Sequence, residues 1–132
     1  MNLFDKDIYT FADIQYLIDN GVEESIHLDF KAAGALAKDD KKKNEIAKDV
    51  SAFANSDGGI IIYGISEIEH KADSYSFVDG DVFTKEWLEQ IINSNIQKRI
   101  NNIRIIPLRQ DGDIKRTVYI VKIPRSNNAP HM

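Results

Sequence analysis

The stretch from Ile46 to Glu67 constrains this chain more than any other. Apolar residues at positions 46, 47, 50, 53 and 54 recur with helical period, so Ile46–Asn55 predicts an amphipathic helix with one buried stripe. Asn55 and the pair Gly58-Gly59 follow, and glycine supplies the positive-φ freedom with which a helix stops and the chain reverses. Ile60-Ile61-Ile62-Tyr63-Gly64-Ile65 then runs without polar alternation, the pattern of a short strand buried on both faces. A helix, a tight turn and a central strand in succession require the rest of the chain to pack around them.

Upstream, Thr10-Phe11-Ala12-Asp13 reads as an N-cap with an acid three residues on. Ile14, Leu17 and Ile18 form a helical stripe that stops at Asn20-Gly21. Ser25–Lys31 alternates strictly, which predicts a strand with Ile26, Leu28 and Phe30 on one side and His27, Asp29 and Lys31 on the other. Ala32–Asp40 reads as a loop ending in a cap at Asp39 or Asp40, where the long helix opens on Lys41-Lys42-Lys43. Ser66–Gly80 reads as polar and loop-like, with a short strand at Ser74–Val78. Thr84 caps a helix of roughly Lys85 to Ile100, with Trp87, Leu88, Ile91, Ile92 and Ile96 as its buried stripe. Ile103–Arg109 and Ile114–Ile123 read as a hairpin across Gln110-Asp111-Gly112-Asp113, because Asp-Gly between apolar runs is a strong turn signal.

With 132 residues, 42% hydrophobic and 29% charged, the chain suits one domain spanning 1–132 with one core. No apolar run is long enough to span a bilayer, and Met1-Asn2-Leu3-Phe4-Asp5 lacks the pattern of a secretory signal. The absence of cysteine excludes thiolate chemistry and accords with a cytoplasmic setting. A net charge of −4 argues against nucleic-acid binding driven by bulk charge, so any such binding would use a local basic patch.

Chemistry concentrates in Glu24, Asp29 and Lys31, with Glu67 at the exit of the central strand. Hard divalent cations take oxygen ligands, and a phosphodiester-cleaving site needs several carboxylates converging on such an ion. A neighbouring lysine can stabilise charge developing on the phosphate. Lys41-Lys42-Lys43 reads either as a solvated face or as a basic lip for phosphates. Lys98, Arg99, Arg104 and Arg109, with Lys115 and Arg116, read either as ordinary surface charge or as a second basic patch. The spacing of Gly58-Gly59 fits no phosphate-binding loop, and His27, His70 and His131 show no zinc-type spacing, so structural or exposed roles are expected of them.

Taken in order, Glu24-Ser25-Ile26-His27-Leu28-Asp29-Phe30-Lys31, Ala52-Phe53-Ala54-Asn55-Ser56-Asp57-Gly58-Gly59 and Ile62-Tyr63-Gly64-Ile65 resemble the Schlafen AlbA-like domain. That family's pattern is Glu-x-x-x-x-Glu-Phe-Lys, then Ala-Phe-Ala-Asn-[Thr/Ser]-x-Gly-Gly, then an apolar strand ending Gly-Val with acids after it. The match runs from about residue 22 to a Ser-x-x-x-Pro-His stretch at Ser126–His131. The resemblance implies an α/β (α+β) fold, with a mixed, mostly antiparallel sheet flanked by about three helices. It also implies an endoribonuclease acting on tRNA-like or structured RNA, with Glu24, Asp29 and Glu67 as ligands of Mg²⁺ or Mn²⁺ and Lys31 beside them. Asp29 stands where Glu is usual and Glu67 where Asp is common, shortening one ligand and lengthening the other. Bacterial relatives place the domain beside ATPase or helix-turn-helix regions, and some act in phage defence. A non-catalytic DNA- or RNA-binding or regulatory module is therefore the alternative. Eukaryotic relatives pair two such lobes around RNA, which implies a homodimer here. The family continues into a further strand, Tyr-Tyr-x-Arg, beyond the point where this chain stops. The chain is thus expected to be either a minimal version or the N-terminal fragment of a protein with a C-terminal domain.

Overall fold

A computed structural model describes residues 3–95 and 102–125. The elements in order are α1 (Phe11–Asp19), β1 (Leu28–Lys31), α2 (Asp40–Asn55), β2 (Gly59–Tyr63), β3 (Ile65–Ile68), β4 (Lys71–Tyr75), α3 (Lys85–Asn95), β5 (Arg104–Arg109) and β6 (Thr117–Ile123). The fold is α+β. A four-stranded sheet has the order β1-β2-β6-β5, in which β1 runs parallel to β2 and the other pairs are antiparallel, and β3-β4 form a separate small sheet. The parallel pair requires a crossover, and α2 supplies it. No helix among the described residues is long and apolar enough to cross a membrane.

Every residue of β2 is buried. Strand alternation sends Ile61 and Tyr63 to one face, where they meet Val50 and Ala54 of α2 and Leu88 and Ile92 of α3. Ile60 and Ile62 point to the other face, against Ile14 and Leu17 of α1 and Ile65 and Ala72 of the small sheet. Fully burying each isoleucine stabilises the fold by roughly 1.5–3 kcal/mol, so this strand alone anchors both layers.

The α2–β2 turn fits its glycines closely. Gly58 has φ +77, and a Cβ there would lie 2.5 Å from the Ile123 carbonyl oxygen. A Cβ on Gly59 would lie 2.6 Å from the Phe53 ring and 2.8 Å from the His27 carbonyl oxygen. Gly58 therefore answers to close backbone approach as well as to turning, whereas Gly59, the first residue of β2, answers to close approach alone. At the other end of α2, the Asp39 carboxylate accepts from the Lys42 N–H at 2.8 Å and caps the helix. In α1 the Asp13 carboxylate accepts from the Thr10 N–H at 2.9 Å, so aspartate fills the place that Glu or Gln usually takes.

Three expected elements differ. The strand expected over Ser25–Lys31 begins at Leu28, and Ile26 is 77% exposed rather than facing the core. Ser25 and Leu28 pair in a tight reversal, and Ser25 Oγ accepts from the His27 N–H at 3.1 Å. A local side-chain bond has displaced the ladder there. The segment read as loop-like after Ser66 contains the β3–β4 hairpin, with the strand at Lys71–Tyr75 rather than Ser74–Val78. Its turn residues, Glu69 (φ 52) and His70 (φ 66), are left-handed. A turn of that hand is normally announced by Asn-Gly, and neither residue is present. The last strand starts at Thr117, not Ile114, because Thr117 Oγ1 donates to the Ile114 carbonyl at 2.6 Å and closes a loop first. The distal part of the helix expected to reach Ile100, including Ile96, Lys98 and Arg99, and the Ser126–His131 segment lie outside the described residues.

Replacing Gly58 by alanine is expected to destabilise the protein by about 2–3 kcal/mol, since it meets an unyielding backbone atom at a positive φ. Urea unfolding of Gly58→Ala beside Gly34→Ala, where an added Cβ meets nothing within 4 Å, tests this.

Candidate functional site

Glu24 lies just before β1 and is held from three directions. Its Oε2 accepts from the Phe30 N–H at 2.9 Å, its Oε1 lies 3.0 Å from His70 Nδ1, and its backbone N–H donates to the His70 carbonyl at 2.6 Å. Glu67 sits on β3 where the register with β4 slips between Ser66 and Glu67. Such irregularities re-aim side chains. Its Oε2 accepts from the His70 N–H and lies 3.9 Å from His70 Nδ1. One ligand atom from each of Glu24, Glu67 and His70 lies within 4.8 Å of the other two, and Glu67 and His70 are open to solvent. His70 is thus brought into the group by the strained turn, which the sequence reading did not anticipate.

Asp29 and Lys31 are two residues apart on β1 and share the face that points to α2. Asp29 lies close enough to Glu24 for the two carboxyls to interact, although Asp29 is not one of the three converging ligands. Lys31 Nζ lies 3.2 Å from Asp29 and 3.7 Å from Asp49, a residue of α2. The sequence marks Asp49 only as one more charge on a polar helix face. The result is a chain of interacting titratable groups, His70–Glu24–Asp29–Lys31–Asp49, that wraps around β1.

The electrostatics separate the two acids. Burial, then the hydrogen bond with Glu24, pushes the Asp29 carboxyl up to about 7, against the pull of Lys31. Burial also raises Glu24, but its bonds from Asp29, Phe30 and His70 outweigh this and hold its carboxyl below the usual range. The two neighbouring carboxyls therefore differ in acidity, Asp29 keeping its proton toward neutral pH and Glu24 giving its own up below the usual range. The hydrogen bond to Glu24 raises His70, and nearby Glu67 adds to this.

Of the basic residues, Lys42 pairs with Glu45 at 3.7 Å and lines the same cleft as Lys31, Lys41 is exposed, and Lys43 lies beside Trp87 on the α3 side. The triplet therefore fans out, and one lysine of the three reaches the acidic strand. The described residues of the second patch are spread over different surroundings. An odd spacing along β5 puts Arg104 and Arg109 on opposite faces. Arg104 donates to the Asp7 carbonyl at 2.9 Å, Lys115 pairs with Asp79 and Asp81, and Arg116 pairs with Asp113. Lys98 and Arg99 lie outside the described residues.

A family model described as Schlafen, AlbA_2 matches residues 24–132. The chain belongs to this family. Membership makes this Schlafen AlbA_2 chain a nucleic-acid-related domain. No curated protein matches it. Among solved structures, the DIP2311 protein from Corynebacterium diphtheriae is similar, with a TM-score of 0.56 and 15% identity over 92% of this chain. The Schlafen AlbA_2 chain corresponds to 23% of that protein's length, and the likeness is one of fold.

The proton that Asp29 retains has a consequence for stability. Unfolded aspartate releases its proton near pH ~4, whereas the folded Asp29 carboxyl keeps its proton to about 7. Between those values the folded state binds more protons, so stability falls as pH rises through that window. His70, also raised, acts in the same direction. The urea midpoint is expected to drop between pH 5 and pH 8, and Asp29→Asn to flatten part of that slope; an unchanged slope would contradict the raised Asp29 carboxyl.

Proposed function

We propose that this Schlafen AlbA_2 domain is a metal-dependent endoribonuclease in which Glu24, Glu67 and His70 hold a divalent cation. The observation that carries this reading is the convergence of two carboxylates and an imidazole from segments 46 residues apart, on an open surface beside Asp29 and Lys31. The donor set, two oxygens and one nitrogen, suits Mn²⁺ better than Mg²⁺, which prefers oxygen alone. When bound, such an ion neutralises phosphate charge and acidifies water or hydroxyl. The protein's own share follows from its residues. Asp29, with a carboxyl near neutrality, can take a proton from an attacking hydroxyl at pH 7 and return it to a leaving oxygen. Lys31, held between Asp29 and Asp49, offers an ammonium to the phosphate. Glu24 is positioned by the Phe30 backbone, so its carboxylate needs little reorganisation. Structured RNA such as tRNA is the substrate class this reading carries over from the family resemblance, together with a homodimer and a role in phage defence.

A second reading, a nucleic-acid-binding module without catalysis, has one observation in its favour. The acids of the cluster are already satisfied from within, Glu24 by His70 and Phe30, and Glu67 by the His70 backbone.

Cleavage of total tRNA with Mn²⁺, Mg²⁺ or EDTA decides between them. The nuclease reading expects cleavage that EDTA abolishes and that runs faster with Mn²⁺. Glu24→Ala and Glu67→Ala should each lose at least about 100-fold, equivalent to ~2.7 kcal/mol of barrier, and His70→Ala should lose the preference for Mn²⁺. Binding of tRNA with no cleavage under any condition would assign the domain to the second reading.

A further inference from the structure

On the far side of Lys31 from the acid–histidine cluster, a cleft of about 280 Å³ opens between the Ala33–Ala35 turn and α2, lined by Lys31, Gly34, Lys42, Glu45, Asp49 and Tyr63. Tyr63 ends β2 and is 1% exposed, and its hydroxyl is the one buried side-chain polar atom among the described residues with no hydrogen-bond partner. Folded proteins rarely leave such a group unmatched, because it has given up water and gained nothing. A hydroxyl left unmatched in the wall of a cleft is a group that a hydrogen-bonding occupant of the cleft would satisfy.

The charges of the cleft say what fits. Lys31 and Lys42 are balanced by Asp49 and Glu45, so the lining carries no net formal charge. A phosphate, which only accepts hydrogen bonds, would be opposed by two carboxylates, and a cation by two ammonium groups. A neutral hydroxyl satisfies both kinds of partner, donating to the Asp49 carboxylate and accepting from Tyr63 or Lys31. Gly34, the middle residue of that turn, adds no side chain to the cleft wall. The cleft lies at the small end of ligand sites, suited to one nucleoside rather than to a larger molecule.

We propose that this cleft binds the ribose of an RNA nucleotide, reading its 2′-hydroxyl through Tyr63 and Asp49 and so selecting RNA over DNA. The proposal rests on the reading of the neighbouring cluster as a nucleic-acid site, because Lys31 bridges the two: a nucleotide seated here has its adjoining phosphate beside Asp29. The 2′-hydroxyl is the group by which a protein distinguishes the two nucleic acids at a given position. Tyr63 is then a specificity-determining residue.

The test is fluorescence anisotropy in EDTA, which separates binding from cleavage, with a labelled single-stranded RNA, DNA of the same sequence and the 2′-O-methyl RNA. The wild-type chain is expected to bind RNA about fivefold to tenfold more tightly than either analogue, the worth of one good hydrogen bond. Tyr63→Phe should bring RNA down to the DNA value and leave DNA binding unchanged, and Asp49→Asn should lower the RNA-to-DNA ratio. Because Tyr63→Phe removes a group with no partner in the free protein, it should also melt at or above the wild-type temperature. Equal binding of RNA and DNA by the wild type, with tRNA cleavage intact, would overturn the ribose cleft alone. So would a Tyr63→Phe variant that keeps the RNA preference or that melts lower than wild type. No binding of any strand would overturn this proposal together with the nucleic-acid reading of the cluster.

Discussion

The rest of the structure depends on the burial of β2 on both faces. Because Ile60, Ile61, Ile62 and Tyr63 leave no face for solvent, the chain must supply an apolar layer on each side, and it does so with the segments immediately before and after the strand. The helix α2 arrives over one face and the β3–β4 hairpin departs over the other. β1, paired in parallel with β2, is consequently the place where both layers come closest to a strand carrying charged residues. The charged side chains at that edge come from β1, from the approach to it, from α2 and from the hairpin. Their meeting is a result of the packing rather than of their spacing in sequence.

How much of this was legible follows from which forces are local. The α2–β2 unit, the cap at Asp39, the helix at Phe11–Asp19 and the β5–β6 hairpin were readable, because periodicity, capping residues and an Asp-Gly turn are all short-range signals. The β3–β4 hairpin was not, because its turn forces Glu69 and His70 into left-handed backbone with neither Asn nor Gly to announce it. For the same reason Glu24 and Glu67 could be named from the sequence while His70 could not. Asp49 was hidden differently: a charged residue on an exposed helix face looks alike whether it meets water or a lysine from a neighbouring strand. Ile26 misled in the opposite sense, since alternation placed it in the core and a serine-anchored reversal turned it outward.

The charge chain around β1 illustrates how burial and partnership divide labour between similar groups. Glu24 and Asp29 differ by one methylene and by five positions, yet one is held ionised by backbone and imidazole donors while the other retains a proton to near neutrality. Neither behaviour belongs to the residue type. It comes from Glu24 accepting an amide of β1, whereas Asp29 faces the half-buried seam beneath α2, where the Lys31 ammonium only partly offsets the loss of water.

The small sheet lies outside the main one, and Glu67, Ile68 and His70 point to solvent from it. Two of the three converging side chains are therefore carried on a ribbon whose exposed positions contribute little to the core. For a lineage this makes the site an interchangeable cassette. Substitutions in the hairpin can reset the donor set, or erase it, while the helix–strand unit goes on folding unchanged, so homologous domains can share the whole architecture and still differ in whether they have any chemistry to perform.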